Sequence, residues 1–170
     1  LAGYLRNVKG KTPDEIEQSM RGEIMVRIGV LKKISAMGKM EAAKEQIDEI
    51  IESGDKIGVF VHHSEIVQHL KKLYPHALTI TGEDTMDRRN KAVESFQNDP
   101  NCNIIVLSIK AAGVGLTLTA ASNALFIELP WHAADTNQCE DRFHRIGQKN
   151  SVTVKYLLGS ETIDERIYEI

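Results

Sequence analysis

Residues 56–80 read KIGVFVHHSEIVQHLKKLYPHALTI, and the rest of the chain is read outward from them. Ile57 to Val61 is short, apolar and rich in β-branched residues, which predicts a strand. Ser64 offers a hydroxyl cap, and Ile66, Val67, Leu70 and Leu73 then recur at helical spacing. Pro75 closes that helix, and Leu78 to Thr81 supplies a second strand ending at Gly82. Strand, helix and strand in one short stretch make a βαβ unit.

The pattern continues toward the C-terminus. A helix capped near Asp84 is predicted to turn Met86, Val93 and Phe96 inward, and Asn98-Asp99-Pro100-Asn101 is a turn. Ile104 to Leu107 and Leu125 to Leu129 read as buried strands, and Val152 to Leu158 as a fifth. Thr162 and Glu165 open a last helix with Ile163, Ile167 and Ile170 on one face. Near-continuous apolar strands joined by crossover helices imply a doubly wound α/β fold, a parallel sheet covered on both sides.

Toward the N-terminus the texture is purely helical. Thr12-Pro13-Asp14-Glu15 combines a hydroxyl cap, proline at the first helical position and the capping-box glutamate. Ile16, Met20, Ile24, Ile28, Leu31 and Ile34 form an apolar stripe, and Gly38 is the expected break. Met40, Ala43, Ile47, Ile50 and Ile51 mark a second helix, ended by Ser53-Gly54-Asp55.

Composition bounds what such a chain can do. With 170 residues, 42% hydrophobic and 26% charged, it suits one or at most two domains. Lys plus Arg less Asp plus Glu is 21 − 24 = −3, so any nucleic-acid contact must come from local loops. No apolar run approaches a membrane span and no start resembles a secretory leader, so an intracellular protein is expected. Cys102 and Cys139 stand far apart without ligands at metal spacing, which argues against a disulfide framework or a zinc site. A chain that opens on Leu1 and stops at Ile170 inside an amphipathic pattern is expected to be a piece of a longer polypeptide.

In a doubly wound sheet, ligands sit beyond the carboxyl ends of the strands, so the loops there are the candidates. After the first strand come His62 and His63, readable as cap and loop residues or as functional imidazoles. No carboxylate or thiol lies at ligand spacing to make them metal ligands, and no metal is assigned. After the third strand, Ser108 to Thr117 holds Gly113 and Gly115 one residue apart, which lets amides approach an anion, phosphate being the natural guest. Tight turning without a ligand explains the pair equally well. Neither a Walker A sequence nor a Rossmann fingerprint occurs, so the usual grip on a triphosphate is missing. The richest stretch is QCEDRFHRIGQ, Gln138 to Gln148. On a helix, Gln138, Arg142 and Arg145 would share one face near its C-terminal end and project two guanidiniums together. An exposed helix end, its arginines favoured by the macrodipole or paired with Glu140 and Asp141, is the alternative.

Gln138 to Gln148 resembles motif VI of the superfamily-two helicase-like ATPases in their Swi/Snf form, with Cys139 where alanine is usual. Ser108 to Ala121 is similar to that family's motif V and Lys56 to His63 to its motif IV. Gly82, Arg89 and Phe96 match its spaced Gly, Arg and Phe, and Pro130-Trp131 falls where the family has a Trp before motif VI. Gln148, where DEAD-box RNA helicases generally have arginine, disfavours RNA unwinding. Val61-His62-His63 and the glutamate before Leu129-Pro130-Trp131 resemble the annealing-helicase-like branch.

The resemblance implies a second RecA-like lobe over residues 55–170, with residues 1–54 as a helical lead-in that is protrusion-like, packed on the lobe, or partner-binding. It implies ATP with Mg²⁺, both held mainly by a first lobe of the same polypeptide, with Arg142 and Arg145 as catalytic arginines reaching the γ-phosphoryl. Gly113, Gly115 and Gln138 join them around the nucleotide, while His62, His63, Ser108, Lys110 and Thr117 would face DNA bound independently of sequence. Arg89 would anchor its own helix. No membrane and no obligatory oligomer is implied, and the setting would be the nucleus in a eukaryote or the cytoplasm and nucleoid in a bacterium. The expected activity is DNA-dependent ATP hydrolysis coupled to DNA or chromatin remodelling, absent from this chain alone. The rival is a non-catalytic scaffold that binds DNA or protein.

Overall fold

The structure, a computed structural model, describes residues 12–112 and 115–169; residues 1–11, Gly113, Val114 and Ile170 lie outside them, as do the side chains of Pro13 and Ile16. In chain order the elements are α1 (Pro13–Gly38), α2 (Met40–Glu52), β1 (Ile57–Val61), α3 (Ser64–Leu73), β2 (Leu78–Ile80), α4 (Met86–Asn98), β3 (Ile104–Ser108), α5 (Ile109–Ala112), β4 (Asn123–Phe126), α6 (Ala133–Glu140), β5 (Thr153–Tyr156) and α7 (Ile163–Tyr168). The strands form one sheet in the order β2-β3-β1-β4-β5, every neighbouring pair parallel. This is the doubly wound α/β fold that the apolar strand runs predict.

Alternation along the strands sorts the core into two layers. Ile57, Val59 and Val61 of β1 pack with Ile104, Val106 and Leu125 under Met40, Ala43 and Ile47 of α2 and Ile66, Val67 and Leu70 of α3. On the other face, Phe60, Ile105, Leu107 and Phe126 lie under Phe96 of α4, Cys139 of α6 and Ile167 of α7. Stacked rings run across that face, Phe60 on Phe126 at 4.6 Å and Phe126 on Tyr156 at 5.0 Å between centroids. Phe143 meets Phe60 edge-on at 5.9 Å and lies directly over Gly58, where an added Cβ would stand 2.5 Å from its ring. Any side chain at residue 58 would therefore displace the ring.

The structure corrects several local expectations. Thr85, not Asp84, caps α4; the Asp84 carboxylate instead accepts from the amide and hydroxyl of Thr81. Met86 points out, 52% exposed, because the helix turns Arg89 and Phe96 inward. Ser64 is the first residue of α3 rather than its cap; His63 stands at the cap without a side-chain bond to the helix. β4 begins at Asn123 and ends at Phe126, and the chain from Ile127 to Leu129 bends away as its carbonyls turn to Lys32 of α1 and to Lys39 at the C-cap of that helix.

The largest departure is α1. Its capping box forms as read, but Met20, Ile24, Leu31 and Ile34 of the apolar stripe are exposed. The face turned to the sheet carries Lys32, Ser35, Ala36 and Lys39, all buried. Lys32 Nζ donates to the Leu129 carbonyl at 2.6 Å and lies 4.9 Å over the Trp131 ring. Lys39 Nζ reaches the Ile127 and Leu157 carbonyls and, at 2.5 Å, the Asp164 carboxylate, which also accepts from Ser35 Oγ. The end of the sheet offers unpaired carbonyls and a buried carboxylate, so a polar face suits it better than an apolar one.

Candidate functional site

Because every strand is parallel, the loops after β1, β3 and β4 share one edge of the sheet. The arginines reach that edge by a route the spacing did not predict. Helix α6 stops at Glu140, and residues 141–147 form turns and bends, so Arg142 and Arg145 do not share a helical face with Gln138. The amides of Arg142 and Phe143 bond three residues back, to the Cys139 and Glu140 carbonyls, which tightens the chain and drives Phe143 onto Gly58. Gln138 is left exposed on α6.

Those turns lock onto the loop after β3. Arg145 Nη1 donates to the Gly115 carbonyl and to Thr117 Oγ1, each at 3.2 Å. The Leu118 amide donates to the Arg142 carbonyl at 2.9 Å, and Gln148 Nε2 to the Ala121 and Phe143 carbonyls. Gly115 has φ +32, a conformation few side chains adopt, and is exposed. Arg142 is buried at 7% exposure; burial, then the neighbouring Arg145 charge, holds its guanidinium below the ordinary arginine value. The structure thus brings together Gly115, Thr117, Arg142 and Arg145, an arrangement of two fixed cations and a hydroxyl suited to phosphate oxygens.

The remaining candidates fall elsewhere along the edge. Ser108 Oγ accepts from the Ala111 amide and so starts α5, while Lys110 is exposed on that helix. His62 and His63 are held by Glu128, which is 1% exposed. Its Oε2 accepts from the amides of His62 at 2.7 Å and His63 at 2.9 Å, and its Oε1 from His63 Nδ1 at 2.5 Å. Burial first, then the Lys32 ammonium and His63, pushes the His62 imidazole below its usual value, which keeps it neutral. Arg89 donates to the Thr81, Gly82 and Asp84 carbonyls and ties α4 to the loop after β2. Burial pushes the Cys139 thiol up to about 12, so its place beside the arginines is one of packing.

Lys32, Lys39 and Asp164 were not singled out by motif or spacing, and Glu128 entered only as part of the resemblance to the annealing-helicase-like branch, with no role given to it. One signal was available for Glu128: a lone acid inside the apolar run ALFIELP, residues 124–130, must find donors if that run is buried. The lysines gave none, since a helical lysine ordinarily faces water. Among the described residues no group of three or more His, Cys, Asp or Glu is placed to hold a metal ion, and no helix is long and apolar enough to cross a membrane.

Comparison with known proteins converges on the same stretch. The chain is 38% identical over 146 residues to the DNA annealing helicase and endonuclease ZRANB3 of Homo sapiens, covering 83% of this chain and 14% of that protein. It is 40% identical over 119 residues to the SWI/SNF-related matrix-associated actin-dependent regulator of chromatin subfamily A-like protein 1 homolog of Caenorhabditis elegans, covering 68% of this chain and 17% of that one. The chain therefore spans about a sixth or less of the length of these relatives. The Sulfolobus solfataricus SWI2/SNF2 ATPase core domain superposes with a TM-score of 0.74 at 28% identity, over 99% of this chain and 37% of that one. The model of the helicase conserved C-terminal domain matches residues 38–147, from α2 through the turns that carry both arginines. Strands β1 to β4 and the loop joined to those turns by Arg145 fall inside that match, and the chain belongs to the helicase conserved C-terminal domain family, in its Swi/Snf form.

Proposed function

We propose that this chain is the second RecA-like lobe of a DNA-dependent ATPase that translocates on DNA and remodels DNA or chromatin. The observation that carries the reading is the bonding of the Arg145 guanidinium to Gly115 and Thr117, with the Arg142 carbonyl held by the Leu118 amide of the same loop, at the carboxyl edge of the sheet. Two always-charged planar donors beside a hydroxyl suit the charge that grows on a transferring γ-phosphoryl group. In this reading a first lobe of the same polypeptide holds ATP and Mg²⁺, and closure of the lobes brings the arginines onto the phosphate. Mg²⁺, when bound, neutralises charge between the phosphates. Arg145 then exchanges its bonds to Gly115 and Thr117 for phosphate oxygens, which frees the loop after β3 to respond to the nucleotide. Gly113 and Gln138 would border the same nucleotide.

The DNA track in this reading runs along Ser108, Lys110, Thr117, His62 and His63. With a net charge of −3, contact is confined to these loops and directed at backbone phosphates, so binding carries no base sequence. Residues 1–54 are the helical lead-in and 55–170 the lobe. Activity on DNA places the protein in a nucleus or a nucleoid.

The test is ATP turnover by the two-lobe polypeptide with duplex, forked and single-stranded DNA. Arg145→Ala is expected to lower DNA-stimulated turnover by ~10³-fold or more while nucleotide binding is retained. Arg145→Lys is expected to recover little, since an ammonium lacks the guanidinium fork. A polypeptide with no turnover under any DNA would sink the motor and leave the scaffold.

A further inference from the structure

We propose that Glu128 is a positioning residue for the loop of His62 and His63, and that helix α1 acts on that loop through it; the part concerning DNA rests on the function proposed above.

The argument begins with a buried carboxylate. Taking a charged carboxylate out of water costs several kcal/mol unless donors replace the water. At Glu128 three donors come from one short loop: the amides of His62 and His63 and the Nδ1 of His63. The loop's backbone direction is thus set by a side chain from the segment that follows β4, not by a cap of its own helix. The two carbonyls that flank Glu128 in the chain are also taken. Lys39 holds that of Ile127 at 2.5 Å and Lys32 that of Leu129 at 2.6 Å; Lys32 belongs to α1 and Lys39 is its C-cap, at the junction with α2.

Residues 127–129 therefore work as a short lever. α1 and its C-cap grip it on both sides, and the lever's middle side chain grips the histidine loop. Gly29 of α1 lies opposite the His63 ring, whose Nε2 is 3.9 Å from where a Cβ at residue 29 would stand. Lys33 of α1 also pairs with Glu65 in the first turn of α3, at 3.1 Å. A change in the attitude of α1 consequently moves the carbonyls beside Glu128 and the wall behind His63 together. Elements outside the lobe that bear on α1 would, by this route, alter how the loop meets a DNA backbone.

Two measurements test this. In isotope-labelled chain, the His62 and His63 amides should resonate downfield, as amides donating to a carboxylate do, and Glu128→Gln should move both. Lys32→Met, whose side chain bonds neither histidine, should move the same two amides. If Glu128→Gln leaves them in place the positioning role is overturned, and if Lys32→Met leaves them in place the link to α1 is overturned. In the two-lobe polypeptide, Glu128→Gln should raise the DNA concentration for half-maximal stimulation about tenfold, the loss of one charged hydrogen bond, with the rate at saturating DNA within about twofold of wild type. An unchanged half-saturation in a stimulated enzyme would overturn the claim about DNA. A wild type that DNA does not stimulate would sink the proposed function instead, and the amide resonances would still decide the link between α1, Glu128 and the loop.

Discussion

At the scale of single residues, packing decides where charge is presented. Arg142 and Arg145 reach the carboxyl edge because Phe143 between them is pressed onto the sheet, and Phe143 fits only because residue 58 has no side chain. Gly58→Ala would place a methyl 2.5 Å from the ring, so one of them must move. The expected cost is about 2 kcal/mol of stability, read as a lower thermal midpoint, with the arginine turns displaced. Spacing alone marked both arginines but put them on a helix, because three- and four-residue intervals say nothing of where a helix stops. The stop comes from Phe143, whose place above Gly58 is a contact between residues 85 positions apart in sequence.

At the scale of elements, α1 shows why an apolar stripe does not name the buried face. Periodicity tells which residues gain from leaving water, whereas the site of docking depends on what the neighbour offers. Here the neighbour offers carbonyls at the end of β4 and the carboxylate of Asp164, and Lys32, Ser35 and Lys39 answer them. Burial alone would push the Asp164 carboxyl up, but the Lys39 ammonium, the Gly159 amide and the Ser35 hydroxyl outweigh it and hold the group below its ordinary value of 3.8. A depressed pKa in the folded state gives stability that is present above the unfolded value and lost as pH falls through the folded one. Asp164→Asn should therefore cost about 3 kcal/mol in urea unfolding at neutral pH, and its gap to wild type should close as pH falls below about 4. Farther from the sheet the helix has less to hold it. Every residue from Glu17 to Arg27 is exposed, and the pairs Arg21 with Glu17 and Arg27 with Glu23 contribute about 0.3–0.5 kcal/mol each. Hydrogen exchange should be fast over residues 17–27 and slow over residues 32–39, and uniform protection along α1 would contradict this docking.

At the scale of the molecule, the lobe carries arginines but lacks the usual means of gripping a triphosphate. Its sequence contains no Walker A motif. Phosphate release by the 170-residue chain with ATP and DNA is therefore expected at the background rate, and measurable turnover would count against a shared site between two lobes.

The sequence by itself determined the class of fold, the order of its elements and the family, because these rest on local signals: β-branched runs, caps, turns and a long contiguous motif. It marked Gly115, Thr117, Arg142 and Arg145 one by one for the same reason. Only the tertiary structure decided that Arg145 joins the loop after β3, that Gln138 does not share a helical face with the arginines, and that α1 docks by a polar face with Met20, Ile24, Leu31 and Ile34 exposed. It also decided that Glu128 orders the histidine loop. Each of these turns on which donor meets which acceptor across many residues of chain, and on the high cost of leaving a buried polar group unmatched, and neither is written in any local pattern.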